Sequence, residues 1–180
     1  MVVGSTEGRG WDNRFAVVRY NPGGRLDRTF SGDGVARVNF ADWDSASDVA
    51  IQSDGKIVVV GWTLDIWSSF AIVRFDPDRT LDTTFGDNGK VTTDFFPTSP
   101  YDTQAAYANS VAIQEDGKIV VAGSVEIEEE CGTKDFALAR YNPDGTLDST
   151  FGDGGLVMTN VYGIEGFEDY AADVAIQSTG

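Results

Sequence analysis

The phrase Val-Ala-Ile-Gln occurs three times, starting at residues 49, 111 and 174, and a short polar or small pair precedes each copy: Ser47-Asp48, Asn109-Ser110 and Ala172-Asp173. Oxygen donors at matching positions of a repeated unit can converge on one point. Asp48, Asn109 and Asp173 would together offer the hard oxygen ligands that suit Ca²⁺ or Mg²⁺. The chemistry such a metal supports is hydrolysis: its bound water attacks, and the ion polarises the oxygen of an activated ester, lactone or phosphotriester. There is no histidine in the chain. A Ser-His-Asp triad, an imidazole base and the usual zinc sites are therefore excluded, and an aspartate would have to act as base or nucleophile. The plainer reading, hydrogen bonding at the start of a strand or a solvated channel mouth, is favoured. The Gly-Asp-Asn-Gly and Gly-Asp-Gly-Gly segments at 86 and 152, and Asp-Trp-Asp at 42, lack a full series of calcium ligands and read as turns.

A second group of residues could bind rather than react. All four tryptophans, Trp11, Trp43, Trp62 and Trp67, lie in or beside segments that differ between the repeats, as do Tyr101, Tyr107 and Tyr170. Aromatic rings among acids can stack on a sugar or an aryl group, or hold a cation. The competing expectation is that several of them pack loops onto the fold. The 29 acids against 13 bases give a net charge of −16, which disfavours nucleic acid and anionic membrane as partners. No apolar run reaches the roughly 18 residues of a membrane-spanning helix, and the N-terminal residues do not read as a signal segment. Cys131 is the sole cysteine, so no disulfide forms within the chain. Its acidic neighbours would raise the thiol pKa and dull its reactivity.

The elements that must position these groups are repeats. FAVVRYNPGGRLDRTFSGDG at 15 returns as FAIVRFDPDRTLDTTFGDNG at 70 and FALARYNPDGTLDSTFGDGG at 136, in steps of 55 and 66 residues. Each unit reads as four strands. SVAIQ is followed by an Asp-Gly hairpin, then KIVVVG with both faces buried. FAIVRF ends in an Asn-Pro or Asp-Pro turn, and KVTTDF is the fourth. Arg19, Arg74 and Arg140 recur with Asp27, Asp82 and Asp148 eight residues on, a spacing that predicts repeated ion pairs or turn locks. Gln52, Gln114 and Gln177 are expected to close the inner hairpins or to line the lower channel. Short antiparallel strands repeated radially predict an all-β fold: a β-propeller of four-stranded blades, three per chain.

The combination Q-x-D-G-K-I and L-D-x-T-F-G resembles the delta-60 repeat, a bacterial β-propeller repeat of large cell-surface and secreted proteins. The resemblance spans essentially the whole chain. It implies a propeller and a secreted or cell-surface origin, and it implies no particular activity. Read this way, residues 1–180 form one half-propeller domain with repeats at about 1–57, 58–119 and 120–180. One blade is split between residues 1–40 and 171–180. Rings are typically built from about 4–8 blades. The expectation is therefore a homodimer joined through residues 1–6 and 171–180, with DVAIQ at 173–177 beside VVGST at 2–6, closing six blades; the alternative is that the chain is a fragment of a longer propeller whose other blades lie outside it. The functional expectation is a scaffold binding a glycan, small molecule or protein on its acidic, aromatic variable-loop face. The alternative is the metal-dependent hydrolase at the channel mouth.

Overall fold

A computed structural model describes residues 1–8, 12–77, 80–96, 104–127, 133–161 and 168–177. Eleven strands are formed: β1 (Val2–Glu7), β2 (Asn13–Val18), β3 (Val35–Val38), β4 (Trp43–Ile51), β5 (Ile57–Leu64), β6 (Ser68–Phe75), β7 (Lys90–Thr93), β8 (Gln104–Ile113), β9 (Ile119–Ile127), β10 (Thr133–Tyr141) and β11 (Leu156–Thr159). β4-β5-β6-β7 and β8-β9-β10-β11 are complete antiparallel four-stranded blades. β1-β2-β3 is a three-stranded blade, in which β1 pairs only with β2 among the described residues. The described sheets do not close into a ring.

The hairpin joining β4 to β5 follows from Ser-Asp-Gly. Gly55 takes a left-handed φ of 86°, and Gln52 N–H donates to Lys56 C=O at 2.9 Å. Only glycine adopts that backbone cheaply. The β-branched run of β5 is buried on both faces, as its composition predicts. Val58 and Val60 pack with Phe70, Ile72 and Phe85 against Ala106, Ile119 and Tyr141 of the next blade. Ile57 and Val59 pack on the other side with Phe15, Val17 and Phe30 of the blade before. The core is thus a pair of slabs between successive blades rather than one central mass. Tyr141 crosses one of these slabs, its hydroxyl 2.6 Å from the Thr93 hydroxyl of the neighbouring blade.

Two differences from the sequence reading stand out. The first strands are longer than Ser-Val-Ala-Ile-Gln and start at Trp43 and Gln104, so half of each segment read as a variable loop is strand. They extend because Trp43–Ala46 and Gln104–Ala108 continue to pair with the upper halves of β5 and β9. Residues 168–177 are not in a strand. They hydrogen-bond to β10 and β9 of the preceding blade, and among the described residues no second strand of their own blade lies beside them to complete the ladder.

The repeated arginines and aspartates are locks, as their spacing predicts. Arg19–Asp27 and Arg74–Asp82 close at 2.7 Å and Arg140–Asp148 at 2.8 Å. Lys56 joins Asp82 at 2.7 Å and Lys118 joins Asp148 at 3.0 Å. The Thr84 and Thr150 hydroxyls donate to the other carboxylate oxygens. Burial pushes the Asp82 carboxyl up, but hydrogen bonds from Lys56, Thr84 and Arg74 outweigh it and hold the group well below the usual carboxylate range. Asp148 is lowered by Thr150 and Lys118, with Arg140 adding to them. A carboxyl depressed in the folded state takes up a proton more readily once unfolded. Its stabilisation is complete above the ordinary aspartate pKa of about 4 and is lost as pH falls below that. Asp82→Asn should therefore cost about 3 kcal/mol at neutral pH. In urea titrations the variant should also lose less stability than the parent between about pH 5 and about pH 2, because the titrating carboxyl is gone.

Candidate functional site

The three strand-starting pairs do meet. The register of β4 against β5 shifts between Ala46 and Asp48, and that of β8 against β9 between Ala108 and Ser110. These bulges turn the following side chains out of the regular alternation and toward the neighbouring blade. Asp48 accepts from its own Val49 N–H at 2.7 Å through Oδ1, and from Val111 N–H of the next blade at 2.9 Å through Oδ2. Ser110 Oγ lies 3.0 Å from Asp48 Oδ2 and 2.6 Å from Asp173 Oδ1. One hydroxyl proton serves two carboxylates in turn, with Asp173 the shorter contact. Asp173 is held below its ordinary pKa by Ser110 first and by Val174 N–H second. Asn109 turns its amide aside and donates to Ala171 C=O at 2.8 Å.

The result is a ladder that cross-ties three consecutive inner segments. Of the three residues singled out as ligands, Asp48 and Asp173 converge, while Asn109 is occupied one step away. Ser110 takes the place between them. Aligning the Val-Ala-Ile-Gln phrases puts Ser110, not Asn109, opposite Asp48 and Asp173, so the signal was present in the repeat. Among the described residues no group of three or more acidic, cysteine or histidine side chains is arranged to hold a metal ion.

The aromatic residues divide by role. Trp62, in β5, meets Tyr107 of β8 edge-on at 5.6 Å and glues two blades together. Trp43 begins β4 and Trp67 sits in the β5–β6 turn, each 45% exposed; Tyr170 is 62% exposed. Trp11 and Tyr101 lie outside the described residues. Trp67 borders a cleft of about 470 Å³ with Phe40, Asp65, Ser69, Lys90 and Thr92. Lys90 donates to Asn39 C=O at 2.7 Å and stands over the Phe40 ring at 5.4 Å, so its charge is partly spent before any ligand arrives. On the same end of the blades, burial raises the Asp135 carboxyl and the nearby Asp169 raises it further.

The opposite end carries a cleft of about 770 Å³ between the β4–β5 and β8–β9 hairpins. Gln52 and Gln114 line it, and the Oε1 of each is buried without a protein donor. The Gln52 and Gln114 N–H groups donate to the Lys56 and Lys118 carbonyls, so both glutamines sit in the inner hairpins they were expected to close. Gln177 is exposed.

Four-stranded antiparallel blades stacked face to face, with inner strands tied to one another, define a β-propeller module. The family model described as a domain of unknown function (DUF5122) beta-propeller matches residues 1–30, 52–85 and 114–151, more than half of the chain. The chain belongs to that β-propeller repeat family, of the delta-60 type. Each matched segment ends on the phenylalanine stacked under a lock arginine: Phe30, Phe85 and Phe151. A search of curated proteins found no match.

If the ladder's work is to tie strands, Ser110→Ala should cost about 1–2 kcal/mol by removing the shared donor. Urea midpoints measure this. Addition of Ca²⁺ should leave the midpoint of the parent chain unchanged.

Proposed function

We propose that the chain is a non-catalytic propeller scaffold that binds a neutral or cationic ligand on its acidic, aromatic face. It completes its ring by sharing a blade with a second copy. The observation that carries the binding reading is the Trp67 cleft. An exposed indole stands beside Asp65 and the Ser69 and Thr92 hydroxyls, the combination that stacks on a sugar face and hydrogen-bonds its rim. The net charge of −16 argues for a glycan without phosphate or sulfate over a polyanion. What supports the assembly is the apolar surface at the two ends of the arc. Val2, Tyr20 and Leu26 are exposed at one end, and Met158, Val161 and Ile176 at the other. Two arcs of three blades make a ring of six, within the usual range.

The hydrolase reading has one observation in its favour, the convergence of Asp48 and Asp173 on Ser110. It is weakened because Asp48, Asp173 and Asn109 all already contact protein donors or acceptors.

Titration of neutral oligosaccharides against tryptophan fluorescence tests the first reading. Saturable quenching is expected, and Trp67→Ala should weaken binding about tenfold or more, the order of one lost stacking contact. Binding unchanged in that variant would remove the cleft as the site. Turnover of aryl esters that rises with Ca²⁺ and falls in Asp48→Asn would select the hydrolase instead.

A further inference from the structure

The glycine of the second strand is the most informative residue in each blade. Gly61 pairs with Ala46 on one side and Ala71 on the other; Gly123 pairs with Ala108 and Ala137. At both positions the bulged first strand presses its backbone onto the glycine. A Cβ there would run into the Ser45 or Tyr107 carbonyl and the following Cα. The third glycine of the set is Gly4, which pairs with Ala16. A Cβ at Gly4 would meet nothing within 4 Å. Gly4 has the residue type of a seat for a bulged backbone, and the seat is open.

A second pair of residues fits the same seat. Asp44 is buried and accepts from the Thr63 hydroxyl across the β4–β5 ladder at 2.6 Å. It also caps the preceding loop, accepting from Phe40 N–H at 2.7 Å. In the following blade the corresponding residues are Ala106 and Val125, which pair as apolar groups. The matching residues outside the two complete blades are Asp169 and Thr6. Asp169 caps its loop in the same way, accepting from Val161 N–H at 2.9 Å. Each blade thus holds either a polar or an apolar combination, and residues 168–175 carry the partner that Thr6 calls for.

We infer that the open edge of β1 is the docking site for residues 168–175 of a second copy of this chain, in one register. Asp169 lies opposite Thr6, Ala171 opposite Gly4 across a bulge at Ala172, and Val174 opposite Val2. This rests on the self-assembly reading above and deepens it. It also shifts the antiparallel pairing expected from the sequence, DVAIQ beside VVGST: Tyr170 and Asp169, rather than Val174 and Asp173, face Ser5 and Thr6. We take a second copy as the occupant because it carries the Asp169 that Thr6 calls for, while this copy's own segment is held at the far end of its arc. Asp169 N–H donates to Lys134 C=O at 2.6 Å, Asn109 holds Ala171 C=O, and Ser110 holds Asp173. Two copies related by a twofold fill both seats reciprocally.

The test uses complementary defects in the full chain, read by sedimentation velocity across a dilution series. Thr6→Val leaves the Asp169 carboxylate facing a methyl group; Asp169→Ala leaves Thr6 without its acceptor. Each variant alone should weaken the dimer about tenfold per seat. Mixing the two should restore it. One seat then holds the two apolar replacements against each other, as Val125 meets Ala106, and the other holds the native pair. Gly4→Val should abolish the dimer while leaving the far-ultraviolet spectrum of the arc unchanged. A parent chain that stays monomeric at all concentrations overturns the second copy as occupant and the self-assembly reading with it. A dimer that survives Gly4→Val, or a mixture no tighter than its components, overturns this register and leaves the self-assembly reading standing.

Discussion

Asp82 is almost wholly removed from water, and there it meets the Arg74 guanidinium, the Lys56 ammonium and the Thr84 hydroxyl. A buried carboxylate is tolerable only when it is fully paired, so each partner is fixed by the others. Lys56 brings the first hairpin, Arg74 the third strand, and Thr84 the connection to the fourth. Arg74 then lies over the Phe85 ring at 4.3 Å and donates to Pro143 C=O of the next blade at 2.5 Å. One charge cluster therefore sets the geometry within a blade and the stacking between blades. The leucine-aspartate-threonine-phenylalanine signature is the sequence trace of this cluster. The aspartate is the anion, the threonine its second donor, and the phenylalanine the floor beneath the arginine.

The same lock shows what neighbours add. Arg19 and Asp27 keep their 2.7 Å pair, yet both are about a quarter exposed, against a few per cent for Arg74 and Asp82. No lysine from a first hairpin reaches Asp27 among the described residues. Blade geometry is local, but its burial is supplied by the adjoining hairpin and the adjoining blade.

Repeats, blade order and locks were legible in the sequence because each leaves a strict periodic mark. Strand extent and register were not. Trp43 and Trp62 sit in strands although their neighbourhood reads as variable loop, because strand pairing depends on a partner rather than on local composition. The bulge at Ser47 and Asn109 is likewise a property of two strands together. It is the reason Ser110, and not Asn109, stands between the two aspartates. The glycines at 61 and 123 were visible as letters in a recurring phrase, but only the approach of a second backbone gives them a physical reason.

The distribution of charge connects the scaffold to its surface. Arg19, Arg74, Arg140, Lys56 and Lys118 are all committed to locks. They lie toward the constant-turn end, where the third strands finish and the first hairpins turn. The other end carries Asp42, Asp65, Asp94, Asp135 and Asp169 in and beside its loops. Arg14, Lys90 and Lys134 also reach this end, but they are engaged by Asp12, by the Asn39 carbonyl and by Glu126 with Glu168, and the acids outnumber them, so the field there is negative. The raised carboxyl of Asp135 beside Asp169 is a local sign of that crowding. An exposed indole in such a field suits a ligand that brings hydroxyls or positive charge and repels one that brings phosphate. The lock that builds the blade thus also biases what the opposite face can hold.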